Sequence, residues 1–189
     1  MGESLILLAI LAFAAILFLG WAAGAYNALV RSRNAVSESW ADIDTELHRR
    51  HDLIPNLVET VKGYAAHERD TLERVVQARN SAASPHDSKA EQAKDENALT
   101  GSVRQLFALA EAYPDLKANT NFIQLQEELA NTEDRLQRAR RFYNANVRDL
   151  DNRLETFPSN IVASMFSFKA AEYFEVEEPA VRQAPVVKF

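Results

Sequence analysis

The chain has 189 residues and a formal net charge of -6 at pH 7, a length that suits one domain rather than two. It holds no cysteine, which excludes disulfides, thiolate metal sites and cysteine nucleophiles, and its acidic balance argues against nucleic acid as a partner, because that footprint is basic. Only five glycines and six prolines are available for turns, so the elements must be long.

The first element is a membrane span. No charged residue falls between Glu3 and Arg31, and residues 5–25 read LILLAILAFAAILFLGWAAGA. As a helix these 21 residues cover about 31 Å, the thickness of a bilayer's hydrocarbon core. Trp21 and Tyr26 stand near the end of the run as interfacial anchors, and Arg31 and Arg33 follow at headgroup level. A cleaved secretory signal is the rival reading, with Ala23-Gly24-Ala25 as its cleavage site. The retained anchor is preferred, because residues 1–4 carry no Lys or Arg and the apolar run exceeds the usual ~7–15 residues of a signal's core. Arg31 and Arg33 place the N-terminus outside and the remaining chain in the cytoplasm by the positive-inside rule. Gly20 and Gly24 form a GxxxG pair, the spacing that lets membrane helices approach closely. Small residues are also common in membrane helices, and that plainer reading is slightly preferred.

Beyond the span, apolar residues recur at steps of three and four: Val36, Trp40, Ile43, Leu47, then Ile54, Leu57, Val61, Tyr64, then Leu72 and Val75. Such a row predicts a helix packed on a bundle seam. Arg50 and Glu68 interrupt it, and the simpler explanation is a place where the seam widens and water enters. No proline falls between Ser4 and Ile54, so the membrane helix is expected to continue into the first bundle helix. Pro55 predicts a kink rather than a stop, since Leu47, Ile54 and Val61 keep phase across it. This first arm is expected to end near Asn80.

Residues 80–88 (NSAASPHDS) read as a turn, and Ser88-x-x-Glu91 as a capping box that opens a second helix to about Ala112. Its buried row is Leu99, Val103, Leu106 and Ala110. Tyr113-Pro114-Asp115 ends it, and a third long helix begins near Asn119 to Asn121. The row there is Phe122, Leu125, Leu129, Thr132, Leu136, Ala139, Tyr143, Leu150 and Leu154, with Glu127, Glu128, Glu133 and Asp134 on the solvated side. Phe157-Pro158 closes that helix, and Ser159 or Asn160 is expected to cap a last short one through Tyr173. From Glu175 the chain loses periodicity and reads as a tail, in which Val186, Val187 and Phe189 are the residues able to dock. The expected architecture is all-α: an N-terminal transmembrane anchor (1–27), a cytoplasmic antiparallel long-helix bundle (28–175) and a tail (176–189). The expected core comprises Val36, Trp40, Ile43, Leu47, Ile54, Leu57, Val61, Leu72, Val75, Leu106, Phe122, Leu125, Leu129, Leu136, Tyr143 and Leu154.

No catalytic, cofactor or metal residue is assigned. His48 and His51 stand at i and i+3, but neither HExxH nor Glu-x-x-His completes a ligand set, so both are expected to face solvent beside Arg49 and Arg50. His67 and His86 carry no further pattern. No Gly-rich phosphate loop, nucleophile elbow or dinucleotide fingerprint occurs.

Five segments in order carry a resemblance: WADID (40–44), RRHDLIPNLVETVKGYAAHE (49–68), YPDLKANTNFIQLQEEL (113–129), TEDRLQRARRFYN (132–144) and FPSNIVA (157–163). In these the chain resembles the LemA family of bacterial membrane proteins, with small departures at Asp134 and at Leu150-Asp151. The resemblance implies a single-pass protein of the bacterial inner membrane with a short outer N-terminus, a cytoplasmic helical bundle and no established catalytic activity. It also implies association with envelope maintenance, with a membrane zinc metalloprotease and, in one branch, with the building of intracellular membrane compartments. The expected function is a non-enzymatic, self-assembling membrane scaffold without cofactors, whose partners are the lipid bilayer, further copies of itself and a membrane protein such as that metalloprotease. The alternatives are an accessory subunit of a membrane protease or transporter complex, or a histidine-based metal sensor.

Overall fold

The computed structural model describes residues 2–175, and the tail from residue 176 lies outside them. Every regular element among the described residues is a helix. The order is α1 (Gly2–Lys62), α2 (Arg69–Ala82), α3 (Lys89–Ala110), α4 (Pro114–Lys117), α5 (Thr120–Glu155) and α6 (Ser159–Met165). The described residues form two compact units: those up to Trp40 with Phe142–Ala171, and Ala41–Arg141 with residues 172–175. Helices α1 and α5 contribute to both.

In the first unit, α1 and α5 pair antiparallel. Trp40 meets Tyr143 edge-on, with ring centroids 5.4 Å apart. Asn146 Nδ2 donates to the Ala35 carbonyl at 3.4 Å, and the Ser32 hydroxyl donates to Asp149 at 2.8 Å. Val36, Tyr143, Val147 and Leu150 are buried, whereas Trp40 and Leu154 are half-buried. Helix α6 packs Val162 and Ala163 on Leu29, with Ala22, Ala25, Leu154 and Phe168 around them. The expected extension of this helix to Tyr173 is corrected: it ends at Met165. Ser167 takes the left-handed conformation (φ 54°), the Ser167 N–H donates to Ser164 O, and the Phe168 N–H donates to Ala163 O at 3.0 Å. That hydrogen-bond pattern closes a helix C-terminus and turns the chain. The expected cap is corrected too. Pro158 occupies the position before the helix, and the Ser159 hydroxyl instead donates back to the carbonyls of Arg153 and Thr156 at the end of α5.

The second unit holds the larger core. Ile54, Leu57, Val61, Leu72, Val75, Leu99, Val103, Leu106, Leu116, Phe122 and Leu129 bury together, with Ile43, Leu47 and Leu136 also enclosed and Leu125 half-buried. Helix α1 runs through Pro55 unbroken. The single arm expected to reach Asn80 is corrected to two helices: α1 stops at Lys62, and the N–H groups of Tyr64 and Ala65 both bond to Val61 O. Gly63 adds the poor helix propensity that favours a stop there. Ala65 is buried in this reversal and Tyr64 is exposed, so Tyr64 leaves the apolar row. Its hydroxyl accepts from Asn119 Nδ2 at 2.9 Å.

Short polar signals set the remaining boundaries. The Ser88 hydroxyl accepts from the Glu91 N–H at 3.1 Å and opens α3. Asn119 Oδ1 accepts from the Phe122 N–H at 3.0 Å at the start of α5. Between them, the one-turn α4 begins with Pro114, where proline's missing N–H costs nothing, and buries Leu116.

Candidate functional site

The most unusual feature of the second unit is a polar cluster inside its helix packing. Glu96 on α3 is wholly buried and occupies the row Ala93, Glu96, Leu99, Val103. One carboxylate oxygen lies 2.7 Å from His51 Nε2, and the other accepts from Arg50 Nη1 at 3.3 Å. Arg50 also donates to the Thr100 hydroxyl at 2.6 Å and lies 3.5 Å from the Glu133 carboxylate on α5. Arg140, on the same α5 row as Leu136 and Tyr143, is buried with its guanidinium over the Phe174 ring at 5.1 Å. Burial lowers the Arg140 pKa most, with Glu133 opposing and Arg50 reinforcing that shift. Arg50 thus meets two carboxylates, those of Glu96 and Glu133, while Arg140 Nε is buried without a hydrogen-bond partner.

The backbone of α1 joins the same cluster. Pro55 has no N–H to donate to the carbonyl four residues earlier, which is that of His51. Arg79 on α2 donates its Nε to that oxygen at 3.2 Å instead. Helix α1 therefore tolerates Pro55 because a neighbouring helix supplies the missing donor.

These positions correct the expected surface placement of His51, which is buried, and of Glu133, which is half-buried against Arg50. They also replace the water-filled seam expected at Arg50 with direct pairing. Glu68 is half-buried and accepts from the Tyr113 hydroxyl at 3.2 Å. Sequence reading missed Glu96 and Arg140, and the available signal was their register: each falls on a three-four spaced apolar row.

The Glu96 carboxylate is fully engaged. Each carboxylate oxygen of Glu96 already has a partner, and the Thr100 hydroxyl donates to the Glu96 carbonyl at 2.9 Å. A cleft of about 240 Å³ beside Arg50 is walled by Val103, Phe107 and Leu129, below the ~300–1,000 Å³ of ordinary small-molecule sites. Another, of about 270 Å³, gathers His48, His51 and His86. Each histidine faces its own carboxylate there: Asp44 at 3.6 Å, Glu96 at 2.7 Å and Asp95 at 3.1 Å. No group of three or more His, Asp or Glu side chains among the described residues is placed to hold a metal ion.

The expected membrane residues belong to the first unit. Gly20 and Gly24 have open space where a Cβ would project. Arg31 and Arg33 are exposed, and Trp21 and Tyr26 are a little over one-third exposed. From Leu5 to Leu19 the large apolar side chains are 58–69% exposed, and the most apolar 18-residue window of α1 has a mean hydropathy of 2.8 with none of it buried. A core helix of a soluble domain would be covered by its neighbours; this segment is long and apolar enough to cross a membrane.

An all-helical, membrane-associated protein with a buried polar cluster in its helix packing is the class that these features define. The chain belongs to the LemA family, whose model matches residues 39–189. It is 26% identical over 158 residues to Protein LemA of Metamycoplasma hominis, covering 82% of this chain and 71% of that protein. It is 25% identical over 180 residues to the magnetosome proteins MamQ 1 and MamQ 2 of Paramagnetospirillum magneticum, covering 82% of this chain and 66% of each of those.

Proposed function

We propose that this protein is a non-enzymatic scaffold of the bacterial inner membrane, anchored by the N-terminal part of α1 and self-assembling through it. The observation that carries this reading is the uncovered apolar segment of α1, which belongs to the same helix as the bundle residues up to Lys62. Tethering confines the bundles to a plane and raises their effective concentration, so weak lateral contacts suffice for assembly. The open Gly20–Gly24 face supports close helix approach. A Glu96 carboxylate already engaged by Arg50 and His51 supports a structural role for that group. Arg31 and Arg33 favour a bundle on the cytoplasmic side, and the LemA and magnetosome relatives support membrane association.

Crosslinking in native membranes followed by mass spectrometry tests the reading, together with light scattering of the detergent-solubilised protein. Crosslinks between copies and a mass above one chain are expected. A strict monomer with links only to a foreign membrane protein would replace the scaffold by an accessory subunit of that partner's complex.

A further inference from the structure

Helix α6 and its flanks expose a second apolar surface. Phe157 is 75% exposed, Ile161 47%, Met165 70% and Phe166 56%. Ile161 and Met165, spaced by four residues, share one face of α6, with Phe157 in the turn just before it, while Val162 and Ala163 bury against Leu29. A soluble domain rarely leaves such a run uncovered without a partner.

The depth of this surface follows from its neighbours on α1. Ala22 and Ala25, inside the last turn and a half of the apolar segment, pack against the cluster of Leu29, Val162 and Ala163. Ala22 precedes Leu29 by two helical turns, about 10 Å, so what covers it in that cluster is α6. Phe166 and Phe168 then close on Tyr26, with ring centroids 4.8 and 5.7 Å away. The Schellman-type turn at Ser167 lets both rings reach that tyrosine. Helix α6 therefore lies beside the final turns of the segment that α1 uses to cross the bilayer, at the boundary between acyl chains and headgroups.

Charge points the same way. Residues 156–171 hold no Asp or Glu and one Lys, and residues 4–37 hold no acid either, in a chain with 27 acids. Arg33 sits 5.7 Å above the Phe168 ring, and it lines one cleft with Lys169. Asp149, the acid bonded to Ser32, is bonded to Arg153 as well and stands at a level six residues, about 9 Å, beyond Tyr26. Exposed apolar rings, a basic edge and the exclusion of acids match a leaflet whose acyl boundary is apolar and whose headgroups carry phosphate.

The geometry points to α6 as a second, monotopic contact with the same bilayer: Phe157, Ile161, Met165 and Phe166 enter the acyl–headgroup boundary while Arg33 and Lys169 face lipid phosphates. This rests on the reading of α1 as a membrane span. It gives the anchor two points of attachment, which fix the tilt and rotation of the first unit on the membrane where a single helix would leave both free.

The cysteine-free chain makes the test direct. Full-length protein carrying a single label at Leu11→Cys, Ile161→Cys, Phe166→Cys or Phe142→Cys is reconstituted into phosphatidylcholine–phosphatidylglycerol vesicles. Quenching is then measured with nitroxide lipids bearing the spin deep in the chain, shallow in the chain or at the headgroup, and with aqueous iodide. All four positions are exposed; Phe166→Cys gives up the ring contact with Tyr26, Ile161→Cys keeps it, and circular dichroism checks the fold of each labelled protein. Expected is deep-chain quenching at 11, shallow-chain or headgroup quenching with loss of iodide access at 161 and 166, and iodide quenching alone at 142. Quenching at 11 with free iodide access at 161 and 166 would overturn the second contact and leave the span intact. Labels at 161 and 166 shielded from both lipid and iodide would assign the surface to a second protein. Absence of lipid quenching at 11 would remove the span itself, and this inference with it.

Discussion

Glu96 is wholly buried, and its charge is met by Arg50 and His51 from another helix. Removing one partner of such a cluster leaves an uncompensated charge in a poorly polarisable interior, whereas replacing both removes the desolvation cost along with the attraction. Glu96→Ala is therefore expected to destabilise the protein by about 3–5 kcal/mol. Arg50→Met combined with Glu96→Leu should cost less than the two single changes together, with a coupling of about 1–3 kcal/mol in denaturant unfolding followed by circular dichroism. Additive effects would show that the two side chains do not stabilise one another. This cluster was the least legible part of the sequence. Apolar spacing made Ile43, Leu47, Ile54 and Leu99 readable, but a charged residue on such a row reads as an interruption. Only the meeting of α1, α3 and α5 at one level shows Arg50, Glu96 and Glu133 to be partners, and one-dimensional spacing carries no information about that level.

Asp149 offers a second test at the same scale. Its carboxyl is held below the ordinary carboxylate range, chiefly by the Arg153 hydrogen bond and next by the Ser32 hydroxyl. The folded state thus favours the ionised form. Its contribution to stability is complete above the unfolded value of about 3.9 and is lost as pH falls through the lower folded value. Ser32→Ala removes one donor, so the stability gap between wild type and variant should be full at neutral pH and shrink below about pH 4. Thermal melts across that range measure it, and a gap that widened towards acid would reverse the assigned sign.

At the scale of elements, helix α1 shows how a local fault is repaired by a neighbour. Phase continuity across Pro55 made an uninterrupted helix readable; the donor that permits it was not, because Arg79 lies 24 residues further along and on another helix. The His51 carbonyl depends on that Arg79 hydrogen bond. Arg79→Met is expected to cost about 1–3 kcal/mol, the price of a buried acceptor left unmet. Pro55→Ala restores the helix's own donor, so Arg79→Met in that background should cost distinctly less. Equal losses in both backgrounds would mean that Arg79 acts through its other contacts. The break at Gly63 belongs to the same scale. The apolar row runs on through Leu72 and Val75, so periodicity alone joins two helices; the chain reversal that buries Ala65 separates them.

For the molecule as a whole, orientation is the property from which the proposed roles follow. Residues 1–30 contain no Lys or Arg, Arg31 and Arg33 come directly after the apolar segment, and positive charge beside a span is retained on the cytoplasmic side. A reporter joined after Phe189 should therefore be active if it matures in the cytoplasm, as a fluorescent protein does, and inactive if it needs the oxidising periplasm, as a disulfide-dependent phosphatase does. Arg31→Glu with Arg33→Glu removes that retained charge, so the variant should show a mixture of both reporter activities. Arg33 also lies over Phe168, just beyond α6. Losing both arginines should therefore disturb orientation more than Arg31→Glu alone, because the second change also weakens the basic edge that holds α6 to the headgroups. Phosphatase activity from the unaltered chain would place the bundle outside the cell and shift the search for its partners to periplasmic proteins.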